Sequence, residues 1–201
     1  DGLLRPAGEE WVPAAPAPAL DPETLARELS ERFPDCRAEL DLTRRCAGEL
    51  EAVLRGARDP MELLFPGGSL EPTATLYRES PSMRLFNTLI RMVVEQAAAA
   101  LPAGRPLALL EVGAGTGGTT AHVLPGLPAG AVRYAFTDIS EMFLQAARAR
   151  FRDRSDLEYG LLDISRDPQR QGWAEGRFHM VLAANVLHAT PDIRRALAHL
   201  R

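Results

Sequence analysis

Residues 107–120, which read LALLEVGAGTGGTT, determine the fold of this chain. A short apolar run, typical of a buried strand, passes directly into a glycine-rich turn and then into residues that open a helix. Glycines at such a turn let the backbone reverse sharply and approach a ligand closely, while the amides of the next helix point toward that ligand. The stretch therefore predicts a binding site at the end of a strand.

Two turn patterns fit these glycines. Gly113, Gly115 and Gly118 match G-x-G-x-x-G, the dinucleotide fingerprint. Glu111 followed by Gly113, Gly115 and Gly117 matches E-x-G-x-G-x-G, the turn that binds S-adenosylmethionine. Glu111 favours the second pattern, because a carboxylate there suits an ammonium or sulfonium group and repels a pyrophosphate. The predicted cofactor is S-adenosylmethionine, and the predicted contacts in this turn are Glu111, Gly113, Ala114, Gly115, Thr116 and Gly117.

Two more carboxylates follow the next predicted strands. Asp138 ends the second strand, where a ribose diol lies in both patterns, so it does not discriminate between them. Asp163 ends the third strand between Leu162 and Ile164, and we expect it to accept a hydrogen bond from the adenine amine while its neighbours cover the ring. The ends of parallel strands share one sheet edge, so these acids line one cleft. The predicted contacts outside the glycine turn are Asp138, Ile139, Asp163, Ile164 and Asn185.

The second half of the chain alternates predicted strands and helices, which is typical of a doubly wound parallel sheet. The strands are predicted at 107–112, 132–137, 157–161 and 178–184, and the last is apolar enough to be buried on both faces. Helices are predicted at 119–124, from Ser140 to Phe151, and after a cap at Thr190-Pro191. A sheet of four strands followed by one helix predicts an incomplete domain, so we expect a fragment of a longer polypeptide.

The first half is predicted to be helical after a linker. Residues 1–20 are rich in Pro and Ala and show neither a helical nor a strand period. Asp21-Pro22 and Ser80-Pro81 are helix starts. The predicted helices cover 22–33, 36–55, 60–65 and the stretch from 81 to the Pro-Ala-Gly at 102–104. The predicted organisation is a linker at 1–20, a helical subdomain at 21–104 and a cofactor-binding domain at 105–201, incomplete at its C-terminus.

The composition excludes several other functions. With 23 basic and 27 acidic residues the net charge is −4, so neither nucleic acid nor an anionic membrane is a predicted partner. All 23 basic residues are arginine, which excludes a Schiff-base lysine and a phosphate-binding P-loop lysine within this segment. No secretory signal or membrane-spanning run is visible, so we expect a cytoplasmic protein. No metal site is predicted, because His122, His179 and His199 lack metal-ligand spacing and cysteine partners.

A further run, Asn185-Val-Leu-His-Ala-Thr190, completes a recognisable combination of motifs. It accompanies the glycine turn, FTDIS at 136–140, LLDI at 161–164, DPMELLFPGGS at 59–69 and LYRESP at 76–81. The combination resembles the methyltransferase domains of modular polyketide synthases, from Pro22 to Arg201. The glycine turn alone indicates only a class I methyltransferase, and the other motifs make the resemblance more specific.

The resemblance implies an α/β fold of class I methyltransferase type, with a Rossmann-like sheet preceded by a helical lid. It implies a substrate tethered by phosphopantetheine to an acyl carrier protein, and neighbouring synthase domains. In the C-methylating branch, a histidine paired with a glutamate removes the proton between the two carbonyls of a β-ketoacyl thioester. His188 matches that histidine, and its partner would follow the next strand, past Arg201. Tyr77, Asn87 and Asn185 are the implied contacts to substrate or cofactor.

Three other functions stay open at this point. The same cofactor and a base would serve O-methylation of a β-hydroxyl or enol, so these residues do not separate carbon from oxygen methylation. An inactive structural remnant of a methyltransferase would keep the fold without binding S-adenosylmethionine. A nicotinamide-dependent dehydrogenase would use the dinucleotide pattern, although Glu111 and the helical first half argue against it.

Overall fold

In the computed structural model of the chain, residues 4–14, 21–128 and 130–201 are described. The predicted linker at 1–20 lies partly outside these ranges. Inside them, strand β1 (Leu4–Ala7) pairs antiparallel with β2 (Glu10–Pro13). The prediction that this segment contains no strand was wrong. The missed signal is Gly8, whose φ of 69° provides the left-handed backbone that a short hairpin connection requires.

The helical part then begins as predicted. Asp21 caps the first helix, accepting hydrogen bonds from the amides of Glu23 and Thr24 at 3.3 and 3.1 Å. The Ser80 hydroxyl caps the long helix, accepting a hydrogen bond from the amide of Met83 at 3.4 Å. The helices are α1 (Pro22–Arg32), α2 (Arg37–Gly48), α3 (Leu50–Leu54), α4 (Pro60–Leu64), α5 (Glu71–Glu79) and α6 (Pro81–Ala99).

Two helical predictions need correction. The single helix expected over 36–55 is divided into α2 and α3, because Gly48 weakens the helix and Glu49 leaves helical backbone angles, with φ −105° and ψ 3°. Helix α5 was not predicted at all. Its signal was Pro72 in the first turn, and the Ser69 hydroxyl accepts a hydrogen bond from the amide of Glu71 at 3.3 Å.

The second half forms a four-stranded parallel sheet in the order β5-β4-β3-β6. The predicted α/β fold class is therefore confirmed. Because β6 lies on the opposite side of β3 from β4, the strand order reverses between β3 and β6, which is where ligands bind in such sheets. The elements are β3 (Leu107–Val112), α7 (Gly118–Val123), β4 (Val132–Asp138), α8 (Glu141–Arg150), β5 (Leu157–Leu161), β6 (Met180–Leu182) and α9 (Ile193–His199).

Apolar side chains cover both faces of this sheet. On one face, Leu109 of β3 packs with Val94 of α6 and Val123 of α7. On the other face, Leu110 and Ala196 belong to a second cluster, which brings α9 against the sheet. Helices on both faces make the sheet doubly wound. None of the helices in the described ranges is long and apolar enough to cross a membrane.

Two features near the end of the chain differ from their predictions. Strand β6 is shorter than the predicted 178–184 and is half-buried rather than buried on both faces, since it pairs with β3 alone among the described strands. Helix α9 is capped by Asp192 rather than by Thr190-Pro191. The Asp192 carboxylate accepts from the amides of Arg194 and Arg195 at 2.9 and 3.1 Å, whereas the Thr190 hydroxyl donates backward to the Leu187 carbonyl.

Candidate functional site

The glycine turn after β3 packs directly against the turn after β6. Gly113, Gly115 and Gly117 all have positive φ. Gly113, at φ 61°, lies so close to Val186 that a Cβ atom there would overlap the valine side chain. Only glycine combines this backbone with this close approach. The sequence LEVGAGTGG therefore places two of the predicted motifs, the glycine turn and NVLHAT, against each other at the switch point of the sheet.

Internal hydrogen bonds hold the rest of the glycine turn. The amide of Ala114 donates to the Thr137 carbonyl at 2.9 Å, and the carbonyl of Thr116 accepts from the Arg150 guanidinium at 3.1 Å. Burial, and after it repulsion from the Arg78 guanidinium, lowers the pKa of Arg150. These contacts tie the turn to β4 and α8, so its shape is rigidly defined by the two neighbouring elements.

Asp138 supports the glycine turn from the end of β4. It is buried, and its two carboxylate oxygens accept hydrogen bonds from the amides of Gly115 and Ser140 at 2.9 and 3.0 Å. The next residue, Ile139, is 73% exposed, although it follows a buried strand. The predicted contact to a ribose diol stays a prediction, which the remaining lone pairs of the Asp138 oxygens permit.

Glu111 occupies the interior beneath the turn. Its Oε2 atom accepts hydrogen bonds from the Tyr134 hydroxyl at 2.8 Å and from the Thr120 hydroxyl. Burial raises the pKa of Glu111 to about 7; the two hydrogen bonds oppose that shift, and the Asp138 charge adds to it. Part of this carboxylate is therefore committed to internal partners, a feature that the motif alone did not reveal.

The carboxylate after β5 lies in a local turn, and its predicted contact to the adenine amine stays a prediction. Asp163 Oδ1 accepts from the amide of Ser165 at 2.9 Å and from its hydroxyl, which lowers the pKa of Asp163, and Oδ2 lies 3.2 Å from Arg166. Ile164 is only 4% exposed and packs in the core cluster on the α9 side of the sheet. The structure thus uses Asp163 to form a turn and places Ile164 in the core.

The predicted base and its neighbour follow β6. His188 lies in a short 3₁₀ turn, Leu187–Ala189, and its side chain is exposed with no hydrogen bond to the described residues. Asn185 has a φ of 60°, which is uncommon outside glycine but is tolerated by asparagine. Its amide donates to the Tyr77 hydroxyl at 3.4 Å, so a predicted lid residue does contact the loop of the predicted base.

Asn87 joins the helical part to the glycine turn. It is buried on α6, and its amide donates to the Tyr77 carbonyl at 3.2 Å while its carbonyl accepts from the Thr119 hydroxyl at 3.0 Å. Gly118, beside Thr119, lets Tyr77 pack against the start of α7, where a Cβ would come within 3.1 Å of Tyr77. Both ends of the Asn87 side chain are thus used inside the protein. Its implied contact to substrate stays a prediction that this packing does not support.

Replacing Asn87 with alanine is expected to lower the free energy of unfolding by about 1–3 kcal/mol, because it leaves the buried Thr119 hydroxyl and the partly buried Tyr77 carbonyl without partners. The matched control is Thr88→Ala, the next residue on α6, which is half-buried and whose hydroxyl bonds only back to the Arg84 carbonyl. We expect the control to stay within about 0.5 kcal/mol of the wild type. Urea denaturation measures the stability of both variants. Equal midpoints would contradict a stabilising role for the hydrogen bonds of Asn87 to Tyr77 and Thr119.

The site also contains residues that the sequence did not identify. Thr120, Tyr134 and Val186 all contact predicted site residues, yet each belongs to an apolar or mixed run that is typical of core packing. Of these three, Tyr134 could have been identified from the sequence: a tyrosine in a buried strand usually needs a polar partner for its hydroxyl. Among the residues that the structure describes, no cluster of three metal-ligating side chains occurs.

The fold and the glycine turn define a class I methyltransferase. Residues 110–201 match the family model described as a methyltransferase domain. The solved carbon methyltransferase of CurJ superposes with a TM-score of 0.91 at 40% identity, covering 99% of this chain and 53% of that one. The carbon methyltransferase domain of the citrinin polyketide synthase gives a TM-score of 0.84 at 30% identity, with 98% and 53% covered.

Curated relatives point to the same family. The polyketide synthase ThaG of Burkholderia thailandensis is 43% identical over 156 residues, which is 76% of this chain and 3% of ThaG. The chain spans about half the length of the solved domains and only a few per cent of the whole synthases, which are far longer polypeptides. This chain belongs to the methyltransferase domains of polyketide synthases.

Proposed function

We propose that this chain binds S-adenosylmethionine and contributes to methylation of the α-carbon of a β-ketoacyl intermediate on an acyl carrier protein, with His188 as the general base. The observation that carries the proposal is the contact between Gly113 and Val186. It packs the cofactor-type turn against the loop of His188, so a donor in the turn and a proton acceptor in the loop serve one reaction. The carbon methyltransferases of CurJ and the citrinin synthase share this architecture.

The residues at the sheet edge suit this cofactor. Gly115 has no side chain, and only the Gly113 carbonyl lies near the position of a Cβ there, at 3.9 Å, which leaves this part of the turn open to a ligand. Asp138 offers carboxylate oxygens at the end of β4, beside the exposed apolar side chain of Ile139. A buried carboxylate at Glu111 favours a cationic ligand over a pyrophosphate. The related trans-methyltransferase CalH was solved with S-adenosylhomocysteine, at 31% identity and a TM-score of 0.72.

The chemistry assigned to the chain is proton transfer at one carbon. S-adenosylmethionine, when bound, supplies an electrophilic methyl group. His188 takes the proton from the carbon between the two carbonyls, which leaves that carbon nucleophilic. An imidazole nitrogen is a common general base, and the exposed position of His188 lets it reach a substrate in the cleft. Tyr77 and Asn185 lie beside this loop and orient the substrate.

The partners follow from the reaction. A β-ketoacyl chain of this kind is carried as a phosphopantetheine thioester, so the acyl carrier protein is the proposed partner, within a cytoplasmic synthase that supplies the neighbouring domains. CalH, described as a trans-methyltransferase, matches 89% of this chain.

The test is titration of S-adenosylmethionine and S-adenosylhomocysteine into the protein that carries these residues, followed by methyl transfer to matched thioesters. We expect both ligands to bind, and the β-ketoacyl thioester to gain a methyl group at the α-carbon by mass spectrometry. Methylation of the β-hydroxyacyl thioester instead would replace the proposal with O-methylation. Absence of binding would identify a structural remnant, and binding of NAD in place of both ligands would indicate a dehydrogenase.

A further inference from the structure

Glu111 is an ionisable side chain in the core that the proposed proton transfer does not use. It is 2% exposed, and among the residues that the structure describes no basic side chain pairs with it. Burying a carboxylate without a cation is costly, and such groups concentrate at functional sites. The hydrogen-bond donors that reach it, the hydroxyls of Thr120 and Tyr134, are themselves fully buried. This arrangement requires an explanation beyond packing.

The two oxygens of Glu111 have different surroundings. Oε2 accepts both hydroxyls, with Tyr134 at 2.8 Å. Oε1 accepts no hydrogen bond from the described residues. The completely sealed side-chain atoms without partners in that part of the chain are Glu39 Oε2 and Tyr159 Oη, so Oε1 of Glu111, although nearly buried, is not completely sealed. One oxygen is therefore held in place, and the other is free to accept a further donor.

The groups around Glu111 make its charge sensitive to a ligand. Asp138, from the end of β4, is the charged group that faces it, and Tyr134 is the other titratable group. Helix α7 contributes the Thr120 hydroxyl, and β6 places Leu182 opposite Glu111 in the sheet register. Burial raises the pKa of Glu111 to about 7, so near neutral pH the empty site contains both charge states. A cationic ligand at Oε1 favours the charged state, so its binding releases a proton.

We propose that Tyr134 and Thr120 are positioning residues for the methyl donor: their hydroxyls hold Glu111 so that its free oxygen faces the cationic end of the cofactor. Neither hydroxyl needs to touch the cofactor, because each acts through the carboxylate. The backbone of Glu111 is fixed as well, since its carbonyl accepts from the Thr137 hydroxyl at 2.6 Å. The inference rests on the proposed function, because it takes S-adenosylmethionine as the ligand.

The chain offers a matched pair of tyrosines for the test. Tyr134→Phe removes a hydroxyl that bonds to Glu111, whereas Tyr159→Phe removes a buried hydroxyl of β5 that has no partner in the described residues. S-adenosylhomocysteine, which keeps the ammonium group, is titrated by calorimetry between about pH 6 and pH 9, in two buffers of different ionisation enthalpy. The two buffers report how many protons are released on binding.

We expect Tyr134→Phe to weaken binding about tenfold at neutral pH. Loss of the donor raises the pKa of Glu111 further, so affinity recovers at higher pH and more protons are released on binding near neutrality. Tyr159→Phe should follow the wild type in affinity and in proton release. A merely structural role for Tyr134 would change the unfolding midpoint without moving the pH dependence of binding.

A second pair of variants, at Thr120, tests the inference even if Tyr134→Phe misfolds. Thr120→Val loses the donor at nearly constant volume, whereas Thr120→Ser keeps the hydroxyl. We expect Thr120→Val to behave as Tyr134→Phe does and Thr120→Ser to behave as the wild type does. Equal affinity and equal proton release in all four variants would overturn the inference. A wild-type protein that binds neither S-adenosylmethionine nor its product would instead overturn the proposed function.

Discussion

Replacing His188 with alanine is expected to slow methyl transfer by about 10²–10⁴-fold, the range that a lost general base typically costs. Affinity for S-adenosylmethionine should stay near the wild-type value, because no predicted cofactor contact in the glycine turn bonds to His188. Stability should also hold, since the imidazole is exposed and makes no hydrogen bond to the described residues. This variant should therefore lose the rate of methyl transfer while keeping cofactor affinity and stability.

The control is another histidine of the same sheet. His179 lies at the start of β6, at the opposite edge from the proposed site, and its Nδ1 accepts a hydrogen bond from the amide of Ala108 at 2.9 Å. His179→Ala should lose stability and keep the reaction. Product is measured by mass spectrometry, and deuterium exchange at the substrate α-carbon without cofactor isolates the proton-transfer step. If His188→Ala catalyses exchange as fast as the wild type, His188 is not the base.

The second large effect is expected from Gly113→Ala. The left-handed backbone at φ 61° costs a residue with a Cβ about 1–2 kcal/mol, and forcing the new atom against Val186 costs about 1–3 kcal/mol more. We expect the free energy of unfolding to fall by about 2–5 kcal/mol and cofactor affinity to fall at least about tenfold, because the turn must shift away from β6.

Gly176→Ala is the matched control. Gly176 has a φ of 67°, close to that of Gly113, but nothing lies within 4 Å of a Cβ placed there. It should show the backbone cost alone and bind the cofactor normally. Adding Val186→Ala to Gly113→Ala should recover the part of the loss that comes from overlap. Equal stability of Gly113→Ala and Gly176→Ala, measured by urea denaturation, would contradict the proposed contact.

Local signals explain which predictions succeeded. Asp21-Pro22 and Ser80-Pro81 are complete helix starts within three or four residues, and α1 and α6 begin where they indicate. The run at 107–112 is a strand because apolar residues cover both faces, and β3 is buried along its whole length. The glycine turn was identified for the same reason: its chemistry lies in consecutive residues.

Other features of the structure had no signal in the sequence. The hairpin of β1 and β2 lacks an apolar period, because it is defined by Gly8 and by the pairing of two short segments. The implied contact of Asn87 to substrate or cofactor stays a prediction; in the structure its side chain bonds to Tyr77 and Thr119 from two other elements. The expected contact of Ile164 to an adenine ring stays a prediction; in the structure its side chain packs in the core cluster beside α9. The contacts of Asn87 and Ile164 join separate elements, whereas the hairpin is local and was missed because its two strands are short and lack an apolar period.

The sequence alone established the class of fold, the order of strands and helices in the second half of the chain, and the turn that indicates a methyl-donor cofactor, because each depends on short-range periodicity and on backbone preferences. Strand pairing in the sheet decided which site residues contact each other. Pairing of β3 with β4 brings Tyr134 to Glu111, and pairing of β3 with β6 brings Val186 to Gly113. Residues this far apart in the chain meet only after long-range strand pairing, so their joint chemistry has no local signature.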